Sequence, residues 1–283
     1  MGAKTGIAWT GATYNPWHGC HKVSLGCRSC YMYRDKKRYG QDPTVVTRST
    51  KGTFLAPLTW QREVEAGTRG GTARLVFTCS WSDFFIEEAD AWRPEVWDIM
   101  RQTPGLIYQI LSKRPERFAA QLPDDWGEGW PHVWLGVSCE NQRTLHRLKT
   151  LCATPAAVRF ASFEPLLEDV GDLTAWLGAG GHAAGLAQCI IGGESGPRAR
   201  ECDVAWIRSI VQQCHAAGVA VFVKQLGSAA YDTTQFTGAR FIGYEQKDYV
   251  REIRVRTKHR NGADPAEFPA DLRVQAFPQA VTP

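Results

Sequence analysis

The chain has 283 residues, of which 43% are hydrophobic and 22% are charged, and its formal net charge is +4 at pH 7. This composition is that of a globular protein able to bury a substantial core, and it excludes a disordered or fibrous chain. No apolar run reaches transmembrane length, and the N-terminus lacks the apolar stretch of a signal peptide. The sequence therefore predicts a cytoplasmic protein with no membrane segment.

Seven short runs have the composition of β-strands, and helical or loop segments separate them. Several are apolar almost throughout, as buried strands of a parallel sheet are. The seven runs are Gly6–Trp9, Arg74–Cys79, Leu106–Leu111, Val133–Ser138, Val158–Ser162, Gln188–Gly192 and Val219–Val223. Between them the pattern predicts helices over Trp92–Gln102, Asn141–Leu151 and Asp203–Ala217, the last with Asp203 as N-cap and Gly218 as stop. This alternation predicts an α/β protein with a parallel sheet.

Polar residues follow most of the predicted strands, at the point where each strand ends. They favour a β/α barrel, in which all these ends meet at one mouth, over an open doubly wound sheet, which uses mainly the ends near its switch point. At such a mouth we expect side chains that are partly solvated. The candidate binding residues are Ser82, Asp83, Lys113, Ser138, Glu140, Asn141, Glu164, Gly192, Gly193 and Glu194.

The strand–helix rhythm ends near residue 228. Residues 1–227 are therefore predicted to form the barrel, and residues 228–283 an extension packed on it. Basic residues recur in this extension between Arg251 and Arg260. Such a run is most often a solvated face and less often a contact with nucleic acid.

Three cysteines near the N-terminus, Cys20, Cys27 and Cys30, have the spacing C-x6-C-x2-C. Three thiolates within eleven residues suit an iron–sulfur cluster or zinc. For zinc, His18 or His21 could be the fourth ligand, since both flank Cys20. The other six cysteines lie mostly in apolar strands or helix faces and are predicted to be small buried side chains, although Cys139 ends a strand at the predicted mouth.

The chain resembles a bacteriophage and bacterial family of radical-SAM-like "three-Cys-motif" proteins over almost its whole length. SAM is S-adenosylmethionine. The segments that carry the resemblance are Trp9-Thr10, Tyr14-Asn15-Pro16, Gly19-Cys20, Lys22-Val23-Ser24, Gly26-Cys27, Cys30-Tyr31, Ser82-Asp83-Phe84-Phe85, Lys113-Arg114-Pro115-Glu116-Arg117, Trp134–Ser138, Glu164-Pro165-Leu166-Leu167, Gly192–Gly196, Lys224-Gln225, Asp264–Glu267 and Asp271–Arg273.

The resemblance implies a partial (β/α) TIM-like barrel of the radical-SAM type and a [4Fe–4S] cluster held by the three cysteines. One iron then stays open for SAM. The usual radical-SAM loop is C-x3-C-x2-C, so the first interval here is longer. In many such enzymes a Gly-Gly-Glu stretch binds the amine of SAM, but it follows an earlier strand than Gly192–Glu194 does. Ser82 and Asp83 are placed better for that amine.

The other candidates have two interpretations each. Lys113, Arg114 and Arg117 could bind the SAM carboxylate or a substrate phosphate, or begin a solvated helix. Ser138, Glu140 and Asn141 could contact ribose hydroxyls, or Asn141 could cap the following helix. Glu164 could be a ligand contact or an ion-pair partner at the rim.

The resemblance implies a radical SAM enzyme that cleaves SAM and abstracts hydrogen from a substrate, using an external electron donor. A nucleotide or nucleic acid is the first choice of substrate, for modification or repair, and a peptide or a three-Cys-motif partner protein is the alternative. Two other classes remain open. One is a zinc-stabilised nucleic-acid-binding protein, and the other is a cluster-bearing scaffold for the partner protein.

Overall fold

A computed structural model describes residues 3–178, 185–235 and 254–278. Its strands are β1 (Ala12–Tyr14), β2 (Trp17–His18), β3 (Thr47–Arg48), β4 (Leu75–Thr78), β5 (Ile107–Ser112), β6 (Val133–Ser138), β7 (Val158–Phe163), β8 (Gln188–Gly192), β9 (Cys202–Asp203), β10 (Ala220–Gln225) and β11 (Ala230–Tyr231). Its α-helices are α1 (Tyr31–Arg38), α2 (Lys51–Phe54), α3 (Ala56–Glu65), α4 (Arg93–Gln102), α5 (Phe118–Gln121), α6 (His146–Ala153) and α7 (Val204–Ala217).

Seven strands form one sheet in the order β1-β4-β5-β6-β7-β8-β10. The neighbouring pairs β1–β4, β4–β5, β5–β6 and β8–β10 are all parallel. The strands follow each other in the sheet as they do along the chain, whereas a doubly wound sheet reverses its order at a switch point. The fold is therefore α/β with the curled parallel sheet of a partial barrel, as predicted. Two small sheets, β2–β3 and β9–β11, stand apart from it.

Six of the seven predicted strands are confirmed within two residues at either end, and the first is wrong. The strand lies at Ala12–Tyr14, where Ala12 pairs with Val76 and Tyr14 with Thr78. The predicted run Gly6–Trp9 leads into a turn instead, closed by a hydrogen bond from the Thr10 amide to the Ile7 carbonyl at 3.3 Å. Trp9 alone of this run is buried, and it packs in the core without belonging to a strand.

The local signals for helices are confirmed where they are strongest. The Asp203 side chain accepts a hydrogen bond from the Ala205 amide at 2.9 Å, and Gly218 ends α7 with φ at +69°. The segment predicted as one helix from Asn141 is divided into a short 3-10 helix, Gln142–Thr144, and then α6. The Thr144 hydroxyl accepts hydrogen bonds from two preceding amides and thereby holds this tight turn.

The chain divides into two units. The first contains residues 3–138, 146–161 and 278, and the second contains 139–145, 162–178, 185–235 and 254–277. In the first unit the Trp9 ring lies 4.6 Å from that of Phe77 and 6.3 Å from that of Phe160. A Cβ at Gly136 would lie 2.5 Å from the Phe160 ring, so only glycine leaves space for that ring.

The second unit is built on the β8–β10 pair, with Ile207, Ile210 and Val211 of α7 buried. Part of the predicted C-terminal extension joins this unit as an added backbone segment. The Val223 amide donates to the Val274 carbonyl, and the Ala276 amide donates to the Val221 carbonyl, each at 2.9 Å. Of the predicted extension, residues 236–253, which include Arg251, and 279–283 lie outside the described residues.

None of the described helices combines the length and the apolar character that a membrane span requires.

Candidate functional site

The three cysteines lie on one loop of the first unit, which we call the cysteine loop (residues 19–31). Cys20 comes two residues after β2, Cys27 ends a 3-10 helix, and Cys30 directly precedes α1. All three are half-buried free thiols. Of the other cysteines, five are buried and Cys152 is half-buried, which confirms the prediction that they are mostly small buried side chains. The Cys139 thiol donates to the Thr144 carbonyl at 3.4 Å.

All three thiols of the cysteine loop interact electrostatically with the Tyr33 phenol. Burial raises the pKa of Tyr33, and Cys20, Cys30 and Cys27 each add to that rise. The Tyr33 hydroxyl donates to the Cys20 carbonyl at 2.5 Å, and the Lys22 ammonium lies 4.7 Å from the centre of the Tyr33 ring. All three sulfurs therefore lie within range of one side chain that is itself fixed to the loop.

Gly19 attaches the cysteine loop to the segment that follows β4. Its amide donates to the Trp81 carbonyl at 3.0 Å, and its carbonyl accepts from the Ser82 hydroxyl at 2.6 Å. Its φ is +99°, and a Cβ there would lie 2.2 Å from the Val45 carbonyl oxygen. Only glycine suits this conformation and this close approach. Ser82, predicted to contact SAM, has its hydroxyl hydrogen-bonded to this loop.

Asn15 also binds the segment that follows β4. Its side chain is almost fully buried, accepts from the Trp81 amide at 2.8 Å and donates to the Ser80 hydroxyl at 2.9 Å. Tyr31 adds a hydrogen bond from its hydroxyl to the Ser80 carbonyl at 2.6 Å. The turn after β4 is therefore fixed by one side chain that precedes the cysteine loop and one at its C-terminal end.

Asp83 is a buried carboxylate with donors to both of its oxygens. Oδ1 accepts from the Ser112 hydroxyl at 2.7 Å and from the Phe85 amide at 3.0 Å. Oδ2 accepts from the Lys113 amide at 2.8 Å and lies 3.1 Å from Nη1 of Arg114. Asp83 is only 5% exposed, so the expectation of a partly solvated side chain is wrong here. The chain itself supplies two donors to each carboxylate oxygen.

Arg114 connects this buried carboxylate to the cysteine loop. Its Nη1 donates to Sγ of Cys20 at 3.8 Å, and its Nη2 donates to the His21 carbonyl at 3.0 Å. Burial by itself lowers the pKa of Arg114, but Asp83 and Cys20 outweigh burial and leave the pKa raised. The guanidinium is therefore a fixed positive charge between a carboxylate and a candidate metal ligand.

Cys20 is a neutral thiol at pH 7 in this arrangement. Burial raises its pKa to about 12, Asp83 adds to the rise, and Arg114 opposes it. A metal binds the thiolate, so binding at Cys20 has to release a proton.

The two histidines considered as zinc ligands already have hydrogen-bond partners. Nε2 of His21 pairs with the Glu88 carboxylate, and Nδ1 of His18 lies 3.1 Å from the Thr47 hydroxyl. Burial by itself raises the pKa of Glu88, but hydrogen bonds, including the one from His21, outweigh it and lower the pKa.

Three thiols on one loop fit the donor chemistry of an iron–sulfur cluster. Among the residues that the structure describes, however, no three His, Cys, Asp or Glu side chains are gathered as a ready set of metal ligands. The cysteine loop is thus suited to such a group by its donor atoms, without a preformed ligand cage.

Lys113 and Ser138 also belong to the first unit. The Lys113 side chain is half-buried, and its amide is one of the donors to Asp83. Ser138 is buried, and its carbonyl accepts from Nη1 of Arg147 at 2.7 Å.

The remaining predicted residues lie in the second unit, which is described separately. Glu140 is fully buried, and the Leu167 amide donates to its carbonyl at 2.9 Å. Asn141 is also buried and precedes the 3-10 helix Gln142–Thr144, in keeping with the capping position proposed for it. The expectation of partly solvated side chains is therefore wrong for Glu140 as well.

Glu164, directly after β7, forms a small polar group with Ser162 of β7 and Lys224 of β10. Its Oε1 lies 2.9 Å from Nζ of Lys224, and its Oε2 accepts from the Ser162 hydroxyl at 3.3 Å. A Cβ at Gly192 would lie 2.6 Å from Glu164 Oε1, so the glycine makes space for the carboxylate. Glu164 and Lys224 both keep part of their surface exposed.

Glu194 is a buried member of a closed loop and not an exposed charge. Oε1 lies 2.6 Å from Nη2 of Arg200, and Oε2 accepts from the Arg200 amide at 2.9 Å and from its Nε at 3.0 Å. The side chain is only 6% exposed. Nearby, Gly193 and Gln225 are joined by two hydrogen bonds, one in each direction.

One family model, described as "Protein of unknown function (DUF5131)", matches residues 4–264. The chain belongs to this family. No curated protein and no solved structure matches it. The family description assigns no reaction, so a function has to be argued from the chemistry of the site.

Several residues that shape the site in this DUF5131 chain were not singled out as site residues from the sequence. The sequence indicates Arg114 only as a possible anion-binding group together with Lys113 and Arg117, and it indicates no role for Tyr33, Glu88 or Lys224. The signal for Arg114 was its place in the Ser112-Lys113-Arg114 run after a strand. Its contact with Cys20 joins residues 94 positions apart, and no local pattern encodes such a contact.

Proposed function

We propose that this chain is a radical SAM enzyme whose cysteine loop holds a [4Fe–4S] cluster through Cys20, Cys27 and Cys30. The supporting observation is the junction itself: three thiols on one loop, fixed through Gly19 to the end of a strand in a sequentially ordered parallel sheet. When bound, the cluster and SAM supply a 5′-deoxyadenosyl radical by reductive cleavage of SAM, with an external electron donor. The radical-SAM type of the barrel belongs to this same proposal.

Arg114 donates a hydrogen bond to the sulfur of the proposed ligand Cys20. A donor to the sulfur of a metal ligand fixes the orientation of that ligand and reduces the charge that it carries. Asp83 is a positioning residue for Arg114, because its three other donors hold the carboxylate in place. We therefore assign Asp83 to the support of the cysteine loop ahead of direct contact with SAM.

In the second unit, Glu164 is a better candidate for a ligand contact than Glu194. Glu194 already has both oxygens paired with Arg200, whereas Glu164 and Lys224 form an ion pair with exposed surface on both side chains. The backbone of Gly192 and Gly193 stays a candidate for close approach by a ligand. The predicted contacts of Ser138, Glu140, Asn141 and Lys113 with SAM stay predictions.

We propose a nucleotide or nucleic acid as the substrate, with a peptide or a partner protein as the alternative. The reduced thiols and the oxygen-sensitive chemistry also suit the cytoplasm.

The test is anaerobic purification and reconstitution with iron and sulfide. We expect a brown protein with about four iron and four sulfide per chain, as one [4Fe–4S] cluster requires. Cys20→Ala, Cys27→Ala and Cys30→Ala should each remove this content. Cys152→Ala is the matched control, since Cys152 is also half-buried but lies outside the cysteine loop. Stoichiometric zinc without sulfide would establish the zinc-stabilised alternative.

SAM cleavage is measured separately on the loaded protein after reduction. We expect 5′-deoxyadenosine and methionine, and a change in the electron paramagnetic resonance spectrum when SAM is added. A full cluster with neither effect would establish the scaffold alternative instead.

A further inference from the structure

The exposed large hydrophobic side chains of the described residues all lie in the cysteine loop or shortly after it in the sequence. They are Val23 at 47% exposure, Leu25 at 57%, Tyr31 at 41%, Tyr39 at 70% and Val45 at 52%. Among the described residues, the other large apolar side chains are buried at least in part, so five exposed ones within 23 residues indicate a surface for contact with a partner. We call the exposed side chains of residues 22–45 the cysteine-loop surface.

The same part of the chain accounts for the net positive charge of the protein. Residues 20–45 include six lysines and arginines and two aspartates, which is a surplus of four positive charges. The formal net charge of the whole chain is also +4, so the remaining residues carry equal numbers of basic and acidic side chains. A partner attracted by charge would therefore be directed to this surface.

Three of these cations are available to a partner. Arg28, Lys37 and Arg38 are exposed, and none of them forms an ion pair within the part of the chain that the structure describes. The other three are occupied, and of these Lys22 donates to the Arg28 carbonyl at 3.1 Å. Lys36 is buried with its Nζ 3.4 Å from the Val45 carbonyl, and Arg34 pairs with Asp35 at 3.0 Å.

The arrangement along α1 places aromatic and cationic groups next to each other. Tyr31 begins α1 and Tyr39 follows its last residue, so their backbones lie about 12 Å apart along the axis. Lys37 and Arg38 lie between them, next to Tyr39. The hydrogen bond from the Tyr31 hydroxyl to the Ser80 carbonyl fixes the first ring while leaving part of it exposed.

We propose that the cysteine-loop surface binds single-stranded nucleic acid. Lys and Arg pair with phosphates, and tyrosine rings provide platforms on which unpaired bases stack. The bases of a duplex are already stacked on each other and do not offer these faces. The inference names the substrate class of the proposed radical site and rests on that proposed function, since Lys22, Val23, Leu25 and Arg28 lie between Cys20 and Cys30.

Anionic membranes are the less favoured partner. An interfacial membrane helix presents a broad apolar face along its length. The helix α1 has only eight residues, four of which are Arg or Lys, and its Met32 is buried. Its exposed face is therefore cationic and aromatic.

The experiment uses the full chain, with its cluster content measured in the same sample. Fluorescein-labelled single-stranded DNA, single-stranded RNA and duplex DNA of the same mixed sequence are titrated and followed by fluorescence anisotropy. We expect one or both single strands to bind more tightly than the duplex. The logarithm of the affinity should fall with the logarithm of salt concentration with a slope of about −2, as three phosphate contacts on a single strand predict.

Two variants locate the surface. The double variant Lys37→Glu/Arg38→Glu should weaken binding about tenfold or more at low salt. The matched control is Arg62→Glu/Lys149→Glu, which reverses one exposed Arg and one exposed Lys of the same unit and should change the affinity less than about twofold. Tyr39→Ala should weaken binding about tenfold, and Tyr39→Phe should retain it, because stacking needs the ring and not the hydroxyl.

Each contrary result overturns the inference. Equal losses in the two double variants would mean a diffuse charge effect, and equal affinity for the duplex would mean that bases are not stacked on the surface. Binding to vesicles of anionic lipid without binding to either single strand would establish a membrane surface. A loaded cluster that cleaves SAM in a protein that binds no strand leaves the proposed function standing and removes this inference. If the protein forms no cluster but binds a single strand through this surface, the proposed function is removed and the binding surface stands.

Discussion

Nη1 of Arg114 lies 3.8 Å from Sγ of Cys20, although 94 residues separate them in the sequence. The same guanidinium pairs with Asp83, whose carboxylate is fixed by donors from the segments after β4 and β5. The first cysteine of the loop is therefore positioned through two strand ends of the sheet. This relationship gives the cysteine loop a support that its own residues do not supply.

Replacing Arg114 with Gln should weaken metal retention while leaving the three thiols present. Loss of a donor to a metal ligand typically lowers metal affinity about tenfold to a hundredfold, and it also lowers the reduction potential of a cluster. Iron retention against a chelator and the midpoint potential measure the two effects. Arg117→Gln is the matched control, since Arg117 pairs with Asp90 and comes from the same segment. Unchanged retention and potential in Arg114→Gln would remove the positioning role.

Replacing Asp83 with Asn should destabilise the fold by about 3 kcal/mol, because it leaves the buried Arg114 without its carboxylate. Urea unfolding of the metal-free protein measures this cost. Asp98→Asn should cost less, about 1 kcal/mol at most, because both Asp98 and its partner Arg101 are exposed. Normal stability with lost SAM affinity in Asp83→Asn would show instead that the carboxylate contacts the cofactor.

Replacing Gly19 with Ala should cost more than about 2 kcal/mol, because its Cβ would collide with the backbone of Val45 at a positive φ. Gly40→Ala isolates the conformational part of this cost. Gly40 also has a positive φ, at +67°, but no atom lies within 4 Å of its added Cβ. We expect about 1 kcal/mol there. Equal costs in chemical unfolding would mean that the contact with Val45 contributes nothing.

Asp232 should make the stability of the second unit sensitive to acid. Burial by itself raises its pKa, but hydrogen bonds from Arg208 and Thr234 and the Arg208 charge outweigh burial and lower it. Because the folded pKa lies below the unfolded value of about 3.9, the stabilisation is present above that pH and is lost as the pH falls through the folded pKa.

Asp232→Asn should therefore lower the free energy of unfolding by about 2 kcal/mol at pH 7 and by much less near pH 2. Asp271→Asn is the matched control, because it also pairs with Arg208 but is 52% exposed. Its effect should be smaller at pH 7. A penalty for Asp232→Asn that is the same at both pH values would contradict the ion-pair explanation.

The local order of the fold could be predicted from the sequence. The helix α7 is bounded by Asp203 and Gly218, whose capping effects depend only on residues a few positions away. The long apolar strands were placed correctly because their residues are buried on both faces. The first strand was misplaced because Ala12–Tyr14 is short and is defined by its pairing with β4, whereas the apolar run before it contains the core residue Trp9 but forms no strand.

The sequence by itself determined the donor atoms of this protein: three closely spaced thiols, and a series of polar residues at the ends of parallel strands. Only the tertiary structure decided what each of them can do. Asp83 and Glu194 looked like ligand-binding carboxylates, yet their oxygens are paired with Arg114 and Arg200. The physical reason is that the chemistry of a carboxylate depends on which donors surround it. Those donors can come from any distance along the chain, whereas a sequence pattern specifies only near neighbours.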